Sequence, residues 1–166
     1  MSVKFTDYSE NALVEKPAIE LFAALGWQTT NLYHETFGPD GTEGRESKHQ
    51  VILPNRLRQA LERLNLALPN DAIEQAFTEL TRDRSTQTPE AANRELYRLI
   101  KNGVKVTYRD AEGNHTTETV KVIDLQDSKN NDFLLAFQVR IAGDMYLRRC
   151  DLIGFVNGLT LLFGDC

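Results

Sequence analysis

Cysteine is scarce in this chain. Cys150 and Cys166 are the only two among 166 residues, too few for a disulfide framework, and a reducing, cytoplasmic setting is expected. Long apolar runs are also missing. No stretch approaches the roughly 20 apolar residues needed to cross a bilayer. Met1–Asn11 carries Lys4, Asp7 and Glu10 in place of the apolar core of a secretion signal. We therefore expect neither a membrane span nor export. Positive charge is not in excess: 19 Lys and Arg against 24 Asp and Glu give a net charge of −5. A nucleic-acid contact would have to come from a local basic patch. The sequence has no phosphate-binding G-x-x-x-x-G-K-[ST], no G-x-G-x-x-G, no G-x-S-x-G, no H-E-x-x-H and no C-x-x-C. Those absences exclude a recognisable ATP motor, dinucleotide site, hydrolase elbow or zinc cluster. His34 and His49 flank a glycine-rich stretch and His115 falls in a turn, so no shared histidine site is expected.

What is present suits one domain spanning residues 1–166, with 41% apolar and 26% charged residues. A helical part covers about 10–102 and a sheet part 104–166. Leu13, Pro17, Ala18, Leu21, Phe22 and Leu25 recur at helical spacing before Gly26, with the helix starting near Lys16 or kinking there because of Pro17. Residues 34–49 read as a long mobile loop. A helix from Pro54 carries Leu57, Leu61 and Leu64. Another begins near Pro69–Asp71 with an Asp71/Glu74 capping pattern. A third opens at Pro89, stops at Gly103 and stacks Arg94, Arg98 and Lys101 on its exposed face. Beyond Gly103 the period becomes two. Strands are expected at 104–109, 117–125, 133–141, 146–156 and 159–163, the last two joined at Asn157-Gly158. Helices first and antiparallel strands later indicate an α+β domain, its N-terminal helices packed on a mostly antiparallel C-terminal sheet. Trp27 is expected to be core packing. Gln138, inside an apolar strand, either bonds across the sheet or faces a cleft. Asp124 reads as a solvated strand end more readily than as a metal ligand.

The C-terminal hairpin is the informative stretch. Asp151 begins an otherwise apolar strand and Asp165 ends its return, and strands this apolar are expected to be buried on both faces. A carboxylate in such a place needs partners, and Mg²⁺, a hard cation that takes carboxylate oxygens, is a natural one. A two-residue turn at Asn157-Gly158 would splay the two acids onto opposite faces. A three-residue loop, Asn157–Leu159, would set Asp151 directly opposite Asp165, with Cβ atoms about 5 Å apart. We predict the second register, which also sets Cys150 opposite Cys166. From spacing alone, solvation of the strand ends explains the two acids at least as well as a metal does.

Several blocks resemble a known family, in order and over nearly the whole chain: L-V-E-K-P-A-I-E-L-F-A-A-L-G-W (Leu13–Trp27), N-R-E-L-Y-R-L-I-K-N-G-V-K-V (Asn93–Val106), V-I-D-L (Val122–Leu125), N-N-D-F-L-L-A-F-Q-V (Asn130–Val139) and R-R-C-D-L-I-G-F-V-N-G-L-T-L-L-F from Arg148. Together they resemble the N-terminal region of the restriction subunit of type I restriction–modification enzymes, a nuclease domain of the PD-(D/E)xK type. The resemblance implies a truncated nuclease core in which Asp151 is the motif's Asp, Asp165 its second acid and Glu15 an extra acid from the first helix. It implies Mg²⁺-assisted phosphodiester hydrolysis of unmodified double-stranded DNA, inside a complex with methyltransferase and specificity subunits. ATP would serve only motor domains of the full-length subunit. Arg148, Arg149 and the Arg94, Arg98 and Lys101 stripe would steer the DNA backbone, their alternative being a solvated face or salt bridges. Four departures stand out: Cys150 and Thr160 replace prolines, Gly164-Asp165-Cys166 replaces an apolar-Glu-apolar triplet, and the sequence ends one residue before the motif lysine. We therefore expect little or no nuclease activity from this chain alone. The alternative is a catalytically inactive DNA-binding or subunit-docking module. An unrelated α+β protein of structural role is a third reading.

Overall fold

The computed structural model of the chain describes residues 15–164. The elements run α1 (Lys16–Ala24), β1 (Gln28–Asn31), α2 (Pro54–Leu64), α3 (Asn70–Thr81), α4 (Pro89–Asn102), β2 (Val104–Arg109), β3 (His115–Val120), β4 (Phe133–Ala142), β5 (Leu147–Val156) and β6 (Leu159–Phe163). The expected α+β architecture holds, in two parts around two apolar clusters. In the first cluster, α2 contributes Leu57 and Leu61, and α3 contributes Ala72, Ile73, Ala76 and Leu80. These pack on Val104, Val106 and Val120 of the β2–β3 hairpin. Burying each leucine or isoleucine stabilises the fold by about 2 kcal/mol. The second cluster joins Leu32 and Leu53 to residues of β4 and β5. Among the described residues no helix is long and apolar enough to cross a membrane.

Helix starts follow backbone chemistry. Pro54 and Pro89 occupy first-turn positions, where the missing N–H costs nothing, and Thr88 caps α4 by accepting from the Ala91 N–H. The first helix begins at Lys16, so Pro17 sits in its opening turn. The Asp71/Glu74 capping pattern is not used. Pro69 is the N-cap of α3, and Glu74 instead pairs with Arg58 at 3.1 Å.

The expected single run of sheet is split. Strands β2 and β3 form a separate two-stranded sheet, and the larger one has the order β1-β4-β5-β6. Its edge strand β1 is parallel to β4, an element the sequence reading missed. The strand predicted over 117–125 ends at Val120. Asn65, at the end of α2, takes over there: its Oδ1 accepts from Lys121 N at 2.7 Å and its Nδ2 donates to Lys121 O at 2.8 Å.

Residues 34–49 have no helix or strand, as expected of a loop, yet they are pinned from inside. Arg45, 1% exposed, donates to the carbonyls of Gln50 (2.6 Å), Lys48 (3.2 Å) and Arg140 (2.9 Å), and to Glu35 Oε2 (2.8 Å). The Asn157-Gly158 turn is likewise interior. Asn157 Oδ1 accepts from Asp132 N, its Nδ2 donates to Val122 O and Asn131 Oδ1, and Gly158 O accepts from Leu53 N.

Candidate functional site

Asp151 lies on β5, where the ladder to β4 skips one pair. Phe137 pairs with Leu152 and Val139 with Cys150, leaving Gln138 and Asp151 facing each other without ladder pairing. The cause is local: Gln138 has φ 59°, a left-handed conformation that costs a residue with a Cβ about 1 kcal/mol or more. The apolar pattern changes phase at the same point. Leu134 and Ala136 enter the second cluster, and so do Val139 and Ile141, while Ile153 and Phe155 on β5 are followed inward by Cys150. Both strands thus turn about the 138/151 position.

Gln138 uses this distortion to reach α1. Its Nε2 donates to Oε1 of Glu15 at 2.7 Å, and Glu15 is buried at the N-cap of α1. Asp151 is half-buried and takes part in no hydrogen bond or ion pair among the described residues. A half-buried carboxylate of this kind can serve as an oxygen ligand for a cation.

The hairpin beyond Asp151 corrects one expectation and refines another. The turn has two residues, not three: Val156 pairs with Leu159 and Phe155 with Thr160, and Asn157 and Gly158 both have positive φ (51° and 78°), as the tightest hairpin turn requires. A β-bulge then shifts the register, so that Gly154 pairs with Leu162 and Ile153 with Phe163, and the Gly164 N–H bonds Leu152 O at 2.8 Å. From Gly154 outward to Gly164 the ladder follows the alignment predicted for the three-residue loop. Asp165 and Cys166 lie outside the described residues. Cys150 is buried and disulfide-bonded. Burial on both faces holds for Ile153–Val156 of β5, whereas Leu161–Phe163 of β6 are exposed. Thr160, at the position where the resemblance expects a proline, donates its hydroxyl to Val51 O.

Residues 7–164 match the family described as type I restriction enzyme R protein N terminus. The chain belongs to this family. It is 28% identical over 155 residues to the type I restriction enzyme HindI endonuclease subunit of Haemophilus influenzae, a match covering 90% of this chain and 14% of that protein. It is 29% identical over 160 residues to the putative type I restriction enzyme MjaIXP endonuclease subunit of Methanocaldococcus jannaschii, covering 92% and 14% respectively. The chain thus spans about 14% of the length of these curated relatives.

Of the acids singled out in this R protein N-terminal chain, the structure brings Glu15 and Asp151 to the same bend through Gln138. No group of three or more His, Cys, Asp or Glu side chains that could hold a metal is formed among the described residues. The donors at the bend are carboxylate and amide oxygens, the hard kind that Mg²⁺ accepts, and Mg²⁺ commonly takes only one or two protein carboxylates, completing its shell with water and phosphate. The donor chemistry therefore fits.

The basic residues separate. Arg149 is exposed, lies two residues before Asp151 on β5 and pairs with Arg140, whereas Arg148 falls on the opposite face from Arg149, beside Ile141, and lies over the Tyr146 ring at 5.0 Å. Arg94, Arg98 and Lys101 are exposed on α4, whose apolar side packs on the first cluster. The bend belongs to the second. Arg98 lines a groove of about 870 Å³ between α3, α4 and β2, which contains neither Asp151 nor Glu15. His34 packs edge-on against Tyr33 and His115 opens β3. Asp124 is a loop organiser. Its carboxylate accepts from the N–H groups of Gln126 and Asp127 and from Asn130 Nδ2, and these bonds, the Asn130 one foremost, hold its pKa down at about 2. Trp27, expected in the core, is only partly buried and lies outside both apolar clusters, where it bridges Phe22 of α1 (4.9 Å) and Phe133 of β4 (5.1 Å). Gln138, for which bonding across the sheet and facing a cleft were both open, instead donates to Glu15 at the start of α1. Its one signal was a lone amide in an apolar strand.

Proposed function

We propose that the chain carries the nuclease centre of a type I restriction endonuclease subunit, of the PD-(D/E)xK kind, cutting unmodified double-stranded DNA by Mg²⁺-dependent phosphodiester hydrolysis. The observation that carries this reading is the half-buried Asp151, without a side-chain partner among the described residues, at a bend that also holds the buried Glu15 through Gln138. Asp151 and Asp165 would hold the metal, with Glu15 as the further acid. When bound, the cation supplies an activated water and neutralises charge building on the phosphate. Gln138 orients the Glu15 carboxylate, and the apolar cluster under β4 and β5 keeps the bend rigid. Methyltransferase and specificity subunits are the proposed partners, ATP belongs to motor domains elsewhere in the full subunit, and the cytoplasm is the proposed location.

Metal titration tests this directly. Calorimetry of the chain with Mn²⁺ or Mg²⁺ should show binding that Asp151→Asn abolishes and Glu15→Gln weakens. Equal affinity in wild type and Asp151→Asn would overturn the nuclease centre. Duplex binding without any metal binding would favour the DNA-binding or docking alternative. In the full-length subunit, Asp151→Asn should remove DNA cleavage.

A further inference from the structure

Arg140 on β4 and Arg149 on β5 are direct partners across the antiparallel ladder. Such partners share a face with Cβ atoms about 5 Å apart, where two like charges repel. Neither joins an ion pair among the described residues, although acids outnumber bases by five in the chain (24 against 19). Arg140 is also held in place. Its guanidinium lies over the Tyr33 ring at 5.0 Å, the ring itself is buttressed edge-on by His34 at 4.8 Å, and the Arg140 carbonyl accepts from buried Arg45 at 2.9 Å. A guanidinium laid on a ring keeps its N–H edges free and gives up little freedom on meeting an anion. Arg149 precedes Asp151 by two residues, which sets it about 7 Å along the strand from the bend. That spacing is comparable to the step between neighbouring backbone phosphates.

We propose that Arg140 and Arg149 form a clamp for one backbone phosphate of a DNA strand, with Tyr33 positioning Arg140, and that the clamp sets the neighbouring phosphodiester at Asp151. The proposal rests on the nuclease reading and adds the residues that fix where the strand lies. Arg148, on the other face, has no part in it.

The experiment is fluorescence anisotropy of the chain with a short labelled DNA duplex, in EDTA, across a range of salt concentrations. The Arg140→Gln/Arg149→Ala double variant should bind about 10-fold more weakly, and its slope of log K against log salt should shrink by about 0.9, the value for one lost phosphate contact. Tyr33→Leu and Arg140→Lys should weaken binding several-fold at unchanged slope, because the charge remains and only its placement is lost. Lys105→Ala, at an exposed position of β2, should change neither. Circular dichroism establishes that each variant is folded. Unchanged affinity and slope in the double variant, an equal loss in Lys105→Ala, or no duplex binding by wild type at low salt overturns the clamp. Metal titration without DNA judges the nuclease centre separately. Asp151-dependent metal binding alongside an indifferent arginine pair refutes the clamp alone, and the reverse pattern refutes the nuclease centre alone.

Discussion

Replacing Arg45 by methionine should be the most damaging single change in the 34–49 loop. Arg45 is 1% exposed and Glu35 3%, and the guanidinium supplies bonds to three carbonyls and one carboxylate. Methionine roughly keeps the stem and removes every donor. Three orphaned carbonyls at about 1 kcal/mol each, with the carboxylate added, would overshoot, because the loop relaxes and water enters. Removing one partner of a buried ion pair costs about 3–5 kcal/mol, and we take about 4. With a urea slope of about 2 kcal/mol per molar, the unfolding midpoint should fall by roughly 2 M. The effect should also depend on pH. Burial already raises the Glu35 pKa, Arg45 opposes that rise, and Glu35 Oε1 has no hydrogen-bond partner among the described residues. Without Arg45 the pKa climbs further. A raised folded-state value means that the stability it confers is complete below the ordinary carboxylate value and is lost as pH rises through the folded one. The Arg45→Met variant should therefore recover part of its deficit as pH falls from neutral towards the ordinary carboxylate value, as Glu35 takes up a proton. The Glu35→Gln/Arg45→Met variant should be the more stable of the two at neutral pH and should show no such recovery. A loss below about 1 kcal/mol, or a deficit equal at both pH values, would refute the account of a dry, paired arginine.

Three further outcomes follow from particular residues. Asn157→Ala should cost about 3 kcal/mol by thermal unfolding, since it strands the Asp132 N–H and the Val122 carbonyl inside the protein and puts alanine at φ 51°. Asp124 should titrate near 2 by NMR. Its depressed pKa makes its contribution present above the ordinary carboxylate value and lost as pH falls through about 2, so wild type and Asp124→Asn should converge in stability across that acid range. Gln138→Gly relieves the left-handed strain but drops the Glu15 bond, so stability should stay within about 1 kcal/mol of wild type while metal affinity falls; Gln138→Val, β-branched at φ 59°, should unfold more easily by about 2 kcal/mol.

Helices α2 to α4 were legible because proline openings and leucine spacing act locally, and Asn157-Gly158 announced its turn for the same reason. Strand β1 was not. Gln28-Thr29-Thr30-Asn31 is mostly exposed and shows no apolar alternation, so only its partner β4 makes it a strand. Arg45 was hidden by its company, since a glycine-rich, charged segment reads as solvated until a long-range carbonyl such as that of Arg140 is known. The candidate acids were legible through resemblance. The bend that brings two of them together was not, because nothing in the letters around Gln138 records a positive φ.

The bulge in the closing hairpin has an evolutionary corollary. Alignment near the tip and alignment farther out are set by different residues, so the tip can stay tight and interior while the outer rungs answer to a single intercalated position at Leu161. Excising that one residue would leave the turn intact and close the ladder without a bulge, with Gly154 still opposite Leu162 and the outer rungs unmoved. Homologues that lack that letter should keep the same outer rungs, each residue of the return strand lying one step nearer the turn in sequence.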